Sequence, residues 1–142
     1  MKLDWEPIED GSVDRVEPAQ VQCGSKLYVM GGYITLDEVF CGMEVLDMKT
    51  GRWIERFEMP EHIAQTHCGI IGEAKRYIYF VSGQVGPQCS PAVRDCHVYD
   101  TVERQWSSIP SLPEERYAPV VVLWSGRLHV MSGSRGDRII PL

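Results

Sequence analysis

The sequence predicts an all-β chain of small four-stranded antiparallel sheets, stacked side by side as repeats. Three observations carry this. First, the run Leu27-Tyr28-Val29-Met30-Gly31-Gly32 returns as Ile78-Tyr79-Phe80-Val81-Ser82-Gly83 and as Leu128-His129-Val130-Met131-Ser132-Gly133. Gly32 to Gly83 is 51 residues and Gly83 to Gly133 is 50. Second, Leu46-Asp47 precedes Trp53 as Tyr99-Asp100 precedes Trp106, and both landmarks shift by 53. Third, each run is aromatic or β-branched and is bounded by Gly, Ser and Lys, which is strand and turn chemistry. A fixed period of this size marks a repeat architecture.

The elements follow in order. We align the units after Pro18-Ala19, Ile63-Ala64 and Tyr117-Ala118. First strands are Val21-Gln22-Cys23, Gly69-Ile70-Ile71 and Val120 to Trp124, the last being the longest apolar run. Turns at Gly24-Ser25-Lys26, Glu73-Ala74-Lys75 and Ser125-Gly126-Arg127 lead into the second strands that end in glycine. Glycine there suits a positive φ or a close backbone approach. A variable loop precedes the third strands, Gly42 to Asp47 and Asp95 to Asp100, in which Met43, Val45, Cys96 and Val98 alternate with their neighbours. Polar turns (47–51 and 100–104) lead to fourth strands carrying Trp53 and Trp106. Met59-Pro60 and Leu112-Pro113 close the units, because proline cannot donate to a continuing ladder. A lone four-stranded sheet cannot bury both faces; radial stacking buries them, which is a β-propeller. The outer-strand tryptophans would fill the space between splayed sheets.

A glycine pair after an aromatic strand, an aliphatic or Tyr residue before Asp, and Trp six residues after that Asp together resemble the kelch repeat. The segments from Tyr77 to Cys89 and from Arg116 to Met131 resemble plant members of the galactose oxidase/kelch superfamily. The resemblance spans about residues 16–136 and implies a partial kelch-type propeller. Ser82 and Ser132 stand where the pattern has the first glycine, which tightens local backbone freedom. The expected division is 1–15 as the end of a preceding blade (with Trp5 as its tryptophan), 16–60 and 61–113 as blades, and 114–142 as the first half of another. A closed ring has more blades than this, so the chain reads as a fragment of a larger propeller.

The net charge is −6 and the Lys and Arg residues are scattered without a basic run, which argues against a nucleic-acid surface. No stretch approaches the roughly 20 apolar residues that span a bilayer, and the N-terminus is not a signal peptide. This segment is expected to make no membrane contact, although the plant resemblance implies a parent that carries an N-terminal anchor in some relatives. The five cysteines lack CxxC spacing, so no zinc site follows. Cys23 and Cys68 read as core thiols; Cys89 and Cys96 flank one loop and a disulfide there is the minor alternative. No asparagine is present, so no N-glycosylation acceptor exists.

Catalytic readings are weak. The resemblance raises a galactose-oxidase-like or other metal-dependent propeller enzyme as the alternative function. Its copper needs tyrosine and histidine ligands, and nothing here matches that set. His97 and His129 read as strand residues, and His67-Cys68 is the one pair worth weighing for a metal. No Gly-x-Ser-x-Gly elbow and no phosphate-cradling glycine loop occurs, and Arg135-Gly136-Asp137 reads as chance. No cofactor is expected. The favoured function is a non-catalytic protein-interaction module, because propellers hold loops rigidly and loops carry binding. The loops after the second strands (33–40, 84–94 and 134–138) meet those between blades on one face. The binding candidates are Tyr33, Gln84, Arg94, Arg116 and Arg135, since Tyr and Arg are enriched at hot spots. The competing reading is that Arg94 and Arg116 form surface ion pairs.

Overall fold

The computed structural model describes residues 3–8, 10–11, 13–63, 66–86 and 92–135. All regular structure among them is β. In the first sheet, β1 (Ala19–Cys23), β2 (Lys26–Met30), β5 (Gly42–Asp47) and β6 (Arg52–Glu58) lie in the order β1-β2-β5-β6. Between β2 and β5 the chain forms a small hairpin of β3 (Tyr33–Thr35) and β4 (Glu38–Val39). The second sheet holds β7 (Gly69–Glu73), β8 (Tyr77–Gln84), β9 (Ala92–Asp100) and β10 (Gln105–Ile109) in the same order. β11 (Val120–Trp124) and β12 (Arg127–Met131) form a two-stranded sheet. Every pairing is antiparallel. Within each four-stranded sheet, the β1–β2, β5–β6 and β7–β8 turns fall at the expected clusters holding Gly, Ser or Lys, and the β9–β10 turn falls at the polar stretch 100–104, which has none of the three.

The first strands β1, β7 and β11 pack successively against one another, so the sheets fan out from a common inner edge. Between the first two sheets lies the main core: Tyr28, Met30, Met43 and Val45 from one, Ile78, Phe80 and Tyr99 from the other, with Met59 and Ile63 from the connection. Trp106 fills the outer part of this gap, its ring 4.9 Å from Phe80 and 4.8 Å from Tyr99. Phe57 reaches across to Tyr99 at 5.7 Å. Burying one such aromatic side chain contributes roughly 1.5–3 kcal/mol. A smaller cluster of Val81, Cys96 and Val121 joins the second sheet to β11 and β12.

Cys23 lies in the main core with Cys68 packed against it, as expected of core thiols; Cys89 falls outside the described residues. The alternation expected of β5 is absent, because both its faces are covered and Gly42 to Leu46 are all buried. Val120, Val122 and Trp124 are exposed, so β11 is not enclosed on its second face. Trp5 is 94% exposed and lies in residues without strand structure.

Candidate functional site

The site begins with a backbone device repeated three times. An isolated antiparallel bridge joins Val16 to Tyr33, Thr66 to Gln84, and Tyr117 to Ser134. In each, the residue just after the glycine pairs with the segment leading into a first strand. The residue after each lead-in partner turns left-handed: Glu17, His67 and Ala118 have φ of 56°, 52° and 50°. The glycine is required because the lead-in crosses directly over it. A Cβ at Gly32 would lie 2.7 Å from the Val16 carbonyl oxygen, and one at Gly83 2.6 Å from Cys68 Cα. Both glycines also hold positive φ, 95° and 105°. The lead-ins therefore align as Val16-Glu17, Thr66-His67 and Tyr117-Ala118, a shift from the alanine-based alignment in the second and third units.

These bridges bring two loop classes together on one face and place His67 at the centre of a polar network. Its Nδ1 lies 2.9 Å from Gln84 Oε1. Its Nε2 lies 2.7 Å from the Tyr117 hydroxyl and 2.9 Å from a Glu17 carboxylate oxygen. The Gln84 carbonyl can only accept, so Nδ1 carries the proton and a neutral ring takes the Tyr117 hydroxyl at Nε2. The Glu17 carboxylate faces the same Nε2. Tyr33 completes the cluster, its hydroxyl 3.3 Å from Thr66 Oγ1 and its ring 6.0 Å from the imidazole. Three successive lead-ins thus meet in one hydrogen-bonded group.

The predicted site residues separate into two kinds. Tyr33 and Gln84 are 3% and 1% exposed and belong to this network. Arg116 and Arg135 adjoin the bridged residues Tyr117 and Ser134. Arg94 lies inside β9, not in the loop, and its side chain is exposed. Ser82 stands opposite both Arg94 and Asp95 in the β8–β9 register, a bulge that re-aims the strand there. Arg116 lies in the third lead-in, where its carbonyl accepts from Gly83 N at 3.0 Å and its Nη2 is 3.8 Å from Glu114. Arg135 is exposed and donates to Glu114 at 2.7 Å. Residues 87–91 and 136–138 of the expected loops fall outside the described residues. Thr66, Glu17 and Tyr117 were not among the binding candidates, and His67 was weighed only with Cys68 for a metal; their common place ahead of each first strand was the available signal for the network.

Among the described residues, no three His, Cys, Asp or Glu side chains are grouped to hold a metal ion. In the His67-Cys68 pair both ring nitrogens face protein partners, and burial pushes the Cys68 thiol up to about 12. His97 and His129 lie on β9 and β12 as ordinary strand residues.

A Kelch motif family profile matches residues 15–56, the span from the first lead-in through the β5–β6 hairpin. Over 137 residues the chain is 42% identical to a kelch repeat-containing protein of Arabidopsis thaliana, covering 96% of this chain and 32% of that protein. This is a kelch-repeat chain. It is also 29% identical over 118 residues to an F-box/kelch-repeat protein of Arabidopsis thaliana, covering 80% of this chain and 31% of that one. The chain spans about a third of the length of these kelch relatives. In this kelch arrangement, the bridged lead-ins and the loops after the glycines form one face, and the β1–β2, β5–β6, β7–β8 and β9–β10 turns form the other. No helix among the described residues is long and apolar enough to cross a membrane.

Proposed function

We propose that this chain is a non-catalytic protein-interaction segment whose working surface is the face built by the lead-ins and the loops after the glycines. The observation that carries this reading is the His67 network. It locks lead-ins of three successive repeats together, and rigid loops bind with less ordering entropy lost. In this reading Tyr33 and Gln84 set the platform, while Arg94, Arg116 and Arg135 meet the partner. The β3–β4 hairpin adds exposed Ile34 and Leu36 beside it, Leu36 being 69% exposed. Exposed apolar side chains together with arginines are the composition of an interaction hot spot.

The test uses a photo-crosslinking residue at Leu36 and, as a control on the opposite face, at Ser125 in the β11–β12 turn. In lysate of the source organism, the Leu36 probe should capture a discrete protein that the Ser125 probe does not. Arg94→Glu with Arg135→Glu should reduce that yield by about tenfold, the effect of losing charge pairs at an interface. Equal capture from both faces, or a yield indifferent to the charge reversals, would overturn the reading.

A further inference from the structure

On the face opposite the bridges, an open groove of about 600 Å³ runs between the turns of the first and second sheets. Its walls come from four separate turns and carry Lys26, Lys49 and Lys75. These lysines are 23 and 26 residues apart, so no basic run announces them; the fold gathers them. Three ammonium groups around one groove stand out in a chain of net charge −6.

The nearby carboxylates are already occupied. Glu55 is held by Arg104 at 2.5 Å and by Lys26 at 3.4 Å. Asp100 is gripped by Arg76, with contacts of 2.6 to 3.0 Å. This guanidinium holds the Asp100 carboxyl down at about 2. The Asp47 carboxylate accepts the Lys49 backbone N–H at 2.8 Å. Among the described residues, the ammonium groups of Lys49 and Lys75 have no carboxylate within 4 Å. The groove also presents hydroxyls, from Ser25, Tyr28 and Thr101. Thr101 donates to the Arg76 carbonyl at 2.8 Å and stitches the turn in place. The stem of Lys75 passes over Gly24, its Cβ 3.5 Å from where a Gly24 side chain would begin.

Uncompensated ammonium groups around a hydroxyl-lined cleft focus the local field and attract anions. Lysine acts as a point charge toward phosphate and needs no planar partner. A cleft of this volume suits a small ligand or a single modified side chain. We propose that this inter-sheet groove binds a phosphate ester, with Lys49 and Lys75 as its principal charge partners and Lys26 as the third. The phosphate would belong either to a small molecule or to a phosphorylated side chain of a protein, and the chemistry is shared.

The experiment is a titration of the full chain with inorganic pyrophosphate at low salt, followed by amide chemical shifts. Saturable shifts confined to Gly24–Lys26, Lys49, Lys75 and Thr101–Val102 are expected at concentrations below about 10 mM. Lys49→Gln with Lys75→Asn should weaken binding by about tenfold or more. Asparagine is chosen because Lys75 has φ of 56°, which asparagine tolerates. The spectrum of the unliganded double variant should stay native elsewhere. A phosphoserine peptide, compared with its unphosphorylated form, is the second arm. Tighter binding of the phosphopeptide than of pyrophosphate assigns the protein source, and weaker binding assigns the small-molecule source. Absence of saturable binding by either probe would overturn the proposal. So would binding unchanged in the double variant, or shifts centred on Arg94, Arg116 and Arg135.

Discussion

At the scale of single residues, the glycine pair shows what a sequence pattern encodes and where it stops. The second glycine was legible, and its reason is a backbone crossing. Gly83→Ala would place a Cβ 2.6 Å from Cys68 Cα at a φ of 105°. Overpacking and strain each cost about 1–3 kcal/mol, so a loss of about 3 kcal/mol is expected in urea unfolding. Gly126→Ala, with φ of 71° and nothing within 4 Å, should cost only about 1 kcal/mol. Equal costs would mean that the crossing is not what demands the glycine. The first position is subtler. Gly31, Ser82 and Ser132 all hold positive φ, at 61°, 57° and 53°, so serine keeps the glycine conformation. The buried Ser82 hydroxyl repays that strain: it lies 2.6 Å from the Val93 carbonyl and 2.8 Å from that of Arg116, and accepts from Arg116 N at 2.7 Å. Ser82→Gly relieves about 1 kcal/mol of backbone strain but strips buried groups of a partner worth about 1–3 kcal/mol. A net destabilisation of about 1 kcal/mol is therefore expected, and a stabilised variant would refute the linking role. The His67 network escaped the sequence because its lead-ins share backbone geometry and not residue type. Val16, Thr66 and Tyr117 have no side-chain chemistry in common, so an alignment on alanine slipped past them.

At the scale of elements, strands with strong side-chain signatures were legible and the β3–β4 hairpin was not. Tyr33-Ile34-Thr35 is too short to show alternation, and its turn at Leu36-Asp37 has no glycine. The Thr35 hydroxyl supplies the turn instead, accepting the Asp37 N–H at 3.3 Å. The connection from β6 to β7 carries another hidden element of behaviour. It lays the exposed His62 against the buried His97 of β9, with ring centroids 5.4 Å apart. Burial pushes the His97 pKa below its usual 6.5; His62 adds to this and Asp95 opposes it. The unfolded chain therefore binds a proton at this position more readily than the folded one. Stability should fall as pH drops below about 6.5 and keep falling until the folded-state value is passed. Urea midpoints between pH 7.5 and 5 check this, with His97→Gln expected to flatten the slope. The carboxylates titrate lower, so they leave this window largely to histidine. A slope unchanged in the variant would place the pH response elsewhere.

At the scale of the whole molecule, stability resides between sheets and less within them. Repeat folds are close to sums of unit terms and nearest-neighbour interfaces, and the two interfaces here are unequal. The first encloses Met30, Met43, Ile78 and Phe80 at no more than 1% exposure, closed on its outer side by Trp106. The second rests on Val81, Cys96 and Val121, and beyond it Val120, Val122, Trp124 and Met131 face outward. The ladders of β8–β9 and β11–β12 are alike in kind, so any difference in their opening must come from these interfaces. Amide hydrogen exchange reads that difference directly, because protection rises from local opening to the global limit as apolar contacts accumulate. The amides of β8 and β9 should exchange at the global unfolding free energy. Those of β11 and β12 should open through a separate, less costly event that leaves the first two sheets folded. Phe80→Ala should lower the β8–β9 protection by about 3–5 kcal/mol, the cost of a large core truncation. Trp124→Ala, at an exposed ring, should change it by no more than about 0.5 kcal/mol. Uniform protection across all three sheets would instead mean that the fold is one cooperative unit, with the second interface as strong as the first.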